Sequence, residues 1–97
     1  MHIVEAKGIL GTEQGQAILL EVQQAMADHA DDVWVDCQEV TFMDSMGLGC
    51  LIQAYKHVRD CSHTLHLCRI NSQLKTVLEL TCADSVFSIQ PERPSRN

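Results

Sequence analysis

The fold is decided by a stretch that runs Val40-Thr41-Phe42-Met43-Asp44-Ser45-Met46-Gly47-Leu48-Gly49. It leads from a strand through a loop to the start of a helix, where Asp44 or Ser45 can serve as the N-cap. Two glycines in a first helical turn each destabilise the helix by about 1 kcal/mol relative to alanine. Another contribution must therefore compensate for this loss of helix stability. We expect Gly47 and Gly49 to leave this helix N-terminus sterically open, so that another molecule can approach its free N–H groups.

Upstream of this stretch, the pattern predicts extended structure and then a helix. Residues 3–10 read as one or two extended pieces interrupted at Gly8, and Thr12 can cap the helix that follows. A polar segment at 28–32 ends that helix, and the β-rich run 33–37 predicts a strand with a loop over 38–43. The helix is indicated by apolar residues at helical spacing: Ile18, Leu19, Val22, Ala25 and Met26.

Downstream, the same alternation continues. The clearest amphipathic helix carries Leu48, Leu51, Ile52, Tyr55 and Val58. A strand over 64–70, a helix capped by Asn71 or Ser72, and a last strand over 86–89 follow. The sequence therefore predicts a single α/β domain, with a mixed, mostly parallel sheet of about four strands and helices packed on it. We expect the domain to span residues 1–90 and residues 91–97 to form a flexible C-terminal tail.

Composition limits the partners and the compartment. Thirteen acidic and seven basic side chains give a formal charge of −6, and no Lys/Arg cluster is present that could neutralise a phosphate backbone, so we expect no nucleic-acid partner. The N-terminus lacks a basic start followed by a long apolar run, which argues against a signal peptide and against a membrane partner. Five cysteines, an odd number, favour reduced thiols and a cytoplasmic protein.

Ser45 is the candidate functional residue of the motif. A hydroxyl at a helix N-terminus can accept a phosphate where the helix dipole and free N–H groups already favour negative charge. Phosphorylation adds about −1.5 to −2 charges, here beside Asp44. An acidic partner surface would then be repelled, and an apolar one left poorly solvated. The motif therefore predicts a binding switch at one residue.

Two segments, Val33-Trp34-Val35-Asp36 and the motif over residues 40–49, resemble the STAS domain, the fold of bacterial anti-sigma-factor antagonists. The Asp-Ser-x-Gly-Leu sequence at residues 44–48 is similar to the family's signature around its regulatory serine. Further along, Leu65-His66-Leu67 and Val77-Leu78-Glu79-Leu80 occupy the places of the family's next strand and helix. The resemblance spans residues 8–89.

The resemblance implies an anti-sigma-factor antagonist that regulates transcription without catalysis of its own. Its partner would be an anti-sigma factor with serine kinase activity, which binds the unphosphorylated chain and releases it once Ser45 is phosphorylated. A serine phosphatase would reverse the modification, and ATP would belong to the kinase, so no cofactor is expected. The partner-binding residues would be Asp44, Ser45, Met46, Gly47 and Leu48.

The sequence departs from the family pattern at three places. Family members usually begin with a further strand before the one that matches residues 8–10, and many end with a helix that Pro91 and Pro94 disfavour. In place of the glycine that often follows the third helix, the chain has Thr81-Cys82-Ala83. We therefore expect a trimmed sheet, or one whose edge is covered by another chain.

Other functions fit the residues less well. The chain could be a constitutive STAS subunit of a signalling scaffold or a lipid-transport complex, since an unpaired edge strand invites another chain. Ser45 could also simply cap a helix. A serine hydrolase would need Gly-x-Ser-x-Gly, and Met43 stands two residues before the serine.

A metal site is the last alternative. Cys61, His63, His66 and Cys68 have the residue types of a zinc site. In an extended strand Cys61 and His63 point one way and the other two point the opposite way, so the four could not converge on one ion. No metal is expected.

Overall fold

The computed structural model describes residues 1–94, in which three helices pack on a four-stranded sheet. The strands are β1 (His2–Leu10), β2 (Val33–Met43), β3 (Leu65–Cys68) and β4 (Ser88–Gln90). The helices are α1 (Thr12–Ala27), α2 (Ser45–Asp60) and α3 (Ser72–Leu80), and a single 3-10 turn, Ala83–Ser85, precedes β4.

The strands lie in the order β1-β2-β3-β4, and each neighbouring pair is parallel. This confirms the α/β domain, while the expected mixed sheet is replaced by an entirely parallel one within residues 1–94. Parallel neighbours need a crossover connection, which the three helices provide. Because all strands run the same way, the carboxyl ends of β1 and β2 meet at one edge, where α1 and α2 begin.

The core lies between the helices and one face of the sheet. Alternate strand residues point to this face because side chains alternate along a strand. The opposite face of the two central strands carries Trp34, Asp36, His66 and Cys68. The core cluster combines strand residues with helical residues at the predicted positions: Val4, Val33, Val35, Leu65, Leu67, Ile18, Val22, Leu51, Val58, Leu74 and Leu78.

β2 is longer than the strand predicted over 33–37. The loop predicted over 38–43 is wrong, because the strand continues to Met43 and pairs with β1 as far as the Leu10–Met43 pair. Two irregularities in the register, near Glu5 and near Gly8, give β2 extra residues relative to β1. Such bulges break the strict alternation of apolar and polar residues, which is the signal that sequence reasoning uses for a strand.

Backbone conformation explains several element boundaries. β1 is one continuous strand that passes Gly8 at a φ of 68°. β3 is shorter than the predicted 64–70 because Arg69 adopts a φ of 54°, a left-handed conformation outside the strand region. The turn at Thr81-Cys82-Ala83 is made by Cys82, which takes the left-handed conformation at a φ of 59° where glycine is usual.

The ends of the helices and of the last strand are also resolved. Thr12, the predicted N-cap, is instead the first residue of α1, and Gly11 is the N-cap. α3 is capped by Asn71, whose side chain accepts a hydrogen bond from the Leu74 amide. The last strand begins at Ser88, two residues after the predicted start. The domain boundary at residue 90 stays a prediction, and residues 95–97 of the expected flexible tail lie outside the described residues.

The cysteines occupy different environments. Cys37 and Cys68 are buried, whereas Cys61 and Cys82 are exposed. Burial raises the pKa of the Cys37 thiol to about 12. That thiol therefore stays protonated and acts as a small core side chain.

Candidate functional site

Ser45 is the first residue of α2 and lies two residues after Met43, the last residue of β2. Asp44 is the N-cap, because its side chain accepts a hydrogen bond from the Gly47 amide at 2.9 Å. Its backbone carbonyl accepts from the Leu48 amide at 3.0 Å, which starts the helical pattern. Of the two cap residues that the sequence allowed, the structure uses Asp44.

The Ser45 side chain is exposed, and its hydroxyl makes no hydrogen bond to another residue of the described chain. The amides of Ser45 and Met46 have no acceptor one turn earlier, since they belong to the first turn of the helix. The hydroxyl is therefore accessible and stands beside unpaired donors at the positive end of the helix dipole.

Gly47 has a different role from the one expected. A Cβ on Gly47 would lie 2.0 Å from the carbonyl oxygen of Leu10, at the end of β1. The glycine thus lets the first turn of α2 pack directly on the β1 backbone, and the explanation that it keeps the helix N-terminus open is wrong. At Gly49, by contrast, a Cβ would meet nothing within 4 Å, so this position is open.

The five residues expected to bind a partner differ in accessibility. Ser45 and Met46 are exposed, and Asp44 is half-buried. Gly47 is buried, and Leu48 is only 5% exposed in the hydrophobic core. Partner binding by the five residues stays a prediction, but only the side chains of Asp44, Ser45 and Met46 are available for it. Gly47 and Leu48 can act by fixing where the helix begins.

Sequence reasoning missed the side chain that holds the end of β2. Gln73 of α3 accepts a hydrogen bond from the Met43 amide at 2.9 Å and donates one to the Met43 carbonyl at 3.0 Å. The Asn71 side chain donates to the Val40 carbonyl at 2.8 Å. β2 extends beyond β3 here, so the two side chains replace a neighbouring strand. No spacing in the sequence links Gln73 to a residue thirty positions earlier.

Replacing Gln73 with alanine should lower the free energy of unfolding by about 1–2 kcal/mol, because the buried Met43 backbone loses two hydrogen-bond partners. Lys75→Ala is the matched control, since Lys75 is exposed on the same helix. Urea denaturation of the two variants measures the difference. Equal stability of the two variants would contradict the role assigned to Gln73.

A network of charged residues lies on the sheet face opposite the helices. Asp36 is 5% exposed and receives two hydrogen bonds from the Arg69 guanidinium, that from Nε at 3.1 Å. Arg93 bridges Glu5 at 3.1 Å and Asp36 at 3.3 Å. The hydrogen bonds from Arg69 hold the pKa of the Asp36 carboxyl below its usual value, although burial alone would raise that pKa. This network connects β1, β2 and the segment after β4.

A serine, a histidine and an aspartate also meet on this face, away from Ser45. His66 lies 2.6 Å from the Ser88 hydroxyl and 3.3 Å from Asp32, and it stacks on Trp34 with ring centroids 4.3 Å apart. The Gln90 side chain donates to the same hydroxyl at 3.1 Å. These contacts connect β4 to β3 and to the start of β2, which is a structural role.

The geometry around Ser45 does not assemble a hydrolase site. Within residues 1–94, no histidine side chain hydrogen-bonds Ser45. A groove of about 620 Å³ lies beside α3 and β4, and its lining includes Arg69, Leu78 and Ile89 but none of residues 44–48. Of the four residues considered for zinc, Cys61 follows α2 and Cys68 is buried in β3. In the described part of the chain, no three His, Cys, Asp or Glu side chains are grouped as a metal site.

Fold and site together define a small parallel α/β domain that presents an exposed serine at a capped helix start. The sequence profile of the STAS domain matches residues 2–95, and the chain belongs to this family. A search of the curated proteins by sequence finds no match. In the described residues, no helix has the length and hydrophobicity needed to cross a membrane.

Solved structures share the fold. One is the crystal structure of a putative anti-sigma factor antagonist from Thermotoga maritima, with a TM-score of 0.81 and 20% identity, covering 90% of this chain and 75% of that one. Another is the anti-sigma factor antagonist SpoIIAA in its unphosphorylated form, with a TM-score of 0.73 and 13% identity, covering 94% of this chain and 79% of that one. At these identities the likeness establishes the fold.

Proposed function

We propose that the chain is an anti-sigma-factor antagonist that works by reversible protein association in the cytoplasm. In its unphosphorylated form it binds an anti-sigma factor that is also a serine kinase, and phosphorylation of Ser45 releases it. A serine phosphatase restores the binding form. The chain is a ligand and a substrate in this cycle, with no catalytic residue or cofactor of its own.

The observation that carries the proposal is the exposed Ser45 at the first position of α2. Its hydroxyl is free of hydrogen bonds within the described chain, so a kinase can reach it. Asp44 fixes the backbone of the turn through its bond to the Gly47 amide. Similarity to proteins described as anti-sigma factor antagonists supports the same role.

Phosphate on Ser45 would change the surface without requiring the fold to change. About −1.5 to −2 charges would be added beside Asp44, at a helix end whose amides can partly stabilise them. A partner in contact with this surface would then meet a large, strongly hydrated anion. Release follows from the loss of surface complementarity.

Kinase treatment tests the phosphorylation step, and α3 offers an internal control. Ser72 is likewise the exposed first residue of a helix, and its N-cap, Asn71, accepts from the Leu74 amide at 2.9 Å. Incubation with the candidate kinase and ATP, followed by mass spectrometry of peptides, should place phosphate on Ser45 and not on Ser72. Phosphate on both serines, or on neither, would contradict a specific site.

Binding assays with the same kinase test the switch. Ser45→Asp should weaken binding by about 100-fold, whereas Ser45→Ala should bind like the wild type. Ser72→Asp is the control for an added charge at an exposed helix start and should change affinity less than about twofold. Calorimetry or surface plasmon resonance measures the constants, and equal affinity of the two Ser45 variants would rule out the switch.

A constitutive subunit is the competing function, and the edge of β1 bears on it. In the described chain no strand pairs with the outer side of β1. The Gln14 side chain, however, accepts from the Lys7 amide at 2.8 Å and donates to the Ile9 carbonyl at 3.0 Å. Part of the edge that an added chain would use is therefore occupied. Intact-mass measurement of the protein from its native cells separates the two functions, since a constitutive subunit carries no phosphate.

A further inference from the structure

Large apolar side chains are exposed in the two strand ends and the helix start that meet at the edge of the sheet where Ser45 lies. Among residues 1–94, seven such side chains are exposed, and four of them, Met1, Leu20, Leu80 and Val86, come from separate parts of the chain. The other three belong to the segments that meet at the site: Ile9 is 67% exposed, Phe42 48% and Met46 58%. Single exposed apolar residues are ordinary, but a group beside a candidate site indicates a binding surface.

The three side chains fit inside one interface. Ile9 and Phe42 are register partners on β1 and β2, and adjacent strands lie about 4.8 Å apart. Phe42 and Met46 are four residues apart, so their Cα atoms are separated by at most about 14 Å. A standard interface covers about 800 Å² per partner, or about 30 Å across, so it would include all three residues together with Ser45.

Acidic side chains outnumber basic ones in the segments around this surface. Neither Lys nor Arg occurs between Gly8 and Tyr55, a range that supplies both segments at the site. The same segments carry Glu13, Glu39 and Asp44, and Lys7, the register partner of Glu39 on β1, offsets one of these three negative charges. A complementary partner therefore has an apolar centre and basic side chains at its periphery.

We propose that Ile9, Phe42 and Met46 form an apolar docking surface around Ser45, and that phosphate ends binding because it cannot be desolvated there. The occupant is the anti-sigma factor kinase, through an apolar patch with basic side chains around it. This inference rests on the proposed function and adds the physical reason why phosphorylation releases the partner. A basic periphery would by itself attract phosphate, so release has to come from the apolar centre, where an unpaired anion is strongly unfavourable.

Release by charge repulsion and release by the cost of desolvating the phosphate respond differently to salt. Charge repulsion is screened by salt, whereas the penalty for burying an anion against apolar groups is not. The ratio of the dissociation constants of Ser45→Asp and the wild type should therefore agree within about twofold between about 0.05 M and about 0.5 M NaCl. A ratio that falls about tenfold at the higher salt would overturn the desolvation mechanism.

Substitutions test the surface itself. Ile9→Ser, Phe42→Ser and Met46→Ser should each weaken binding of the kinase by about tenfold or more. Leu20→Ser and Leu80→Ser are the controls, since Leu20 is as exposed as Ile9, at 67%, and Leu80 is 81% exposed at the far end of α3. They should change affinity less than about twofold. Equal effects of the two sets of variants would overturn the docking surface.

A measurement without the kinase tests the apolar surface separately from the proposed function. The neutral dye Nile red should fluoresce less with Phe42→Ser and with Ser45→Asp than with the wild type, while Leu80→Ser should leave its fluorescence unchanged. Unchanged fluorescence of Phe42→Ser would contradict an apolar surface at this edge. If Ser45→Asp binds the kinase like the wild type, the proposed switch fails, whereas the dye and the serine variants still decide whether the surface exists.

Discussion

Gly47→Ala is expected to lower the free energy of unfolding by about 3 kcal/mol or more, or to prevent folding. The added methyl group would stand 2.0 Å from the Leu10 carbonyl oxygen, far inside van der Waals contact. The atom that it meets belongs to the backbone at the end of β1, so no side-chain rotation can relieve the clash. The first turn of α2 would have to move away from β1.

Gly49→Ala is the matched control, two residues along the same helix. A Cβ at Gly49 meets nothing within 4 Å, and replacing a helical glycine with alanine should stabilise the protein by up to about 1 kcal/mol. The two substitutions have the same chemistry and should act in opposite directions. Chemical denaturation measures both, and a Gly47→Ala protein as stable as the Gly49→Ala protein would contradict the packing of α2 on β1.

Asp36→Asn is expected to have the second largest effect, a loss of about 2–3 kcal/mol at neutral pH, because a buried charged acceptor of two Arg69 hydrogen bonds is removed. Arg93 also loses a partner, although it keeps Glu5. Glu39→Gln is the control, since Glu39 is an exposed acid on the same strand. Its stability should stay within about 0.5 kcal/mol of the wild type.

The effect of Asp36→Asn should depend on pH in a defined direction. The folded-state pKa of Asp36 is lower than its ordinary value of 3.8, so the folded state favours the charged carboxylate. Its contribution is complete well above pH 3.8, begins to decline near that value and is lost as the pH falls through the folded pKa. The stability difference between the wild type and Asp36→Asn should therefore be constant around neutral pH and shrink in acid. A difference that grows in acid would show that the pKa is raised.

The periodic parts of the chain were predictable because their signals are local. The apolar positions of α2, among them Leu51 and Val58, recur at helical spacing and are buried where that spacing places them. The alternation of strands and helices predicted a mostly parallel sheet, because parallel neighbours need crossovers. The Asp-Ser-x-Gly-Leu motif located Ser45 at the start of a helix for the same reason: capping depends on residues within one turn.

Long-range contacts explain what was not predicted. The second half of β2 looked like a loop, since its bulges interrupt the alternation. Its pairing with β1 and its bonds to Gln73 and Asn71 hold it extended. The network of Glu5, Asp36, Arg69 and Arg93 joins residues up to 88 positions apart. Hydrogen bonds of this kind leave no periodic trace in a sequence.

Local sequence signals establish that strands and helices alternate, that Asp44 can cap α2 and that Ser45 follows this cap, because each depends on neighbours along the chain. Packing between distant segments fixes which side chains near Ser45 a partner can reach. It buried Leu48, placed Gly47 against the Leu10 carbonyl and brought Ile9 beside Phe42. Exposure is set by the packing of α2 against β1, and the approach of two segments distant in sequence is a property of the folded chain.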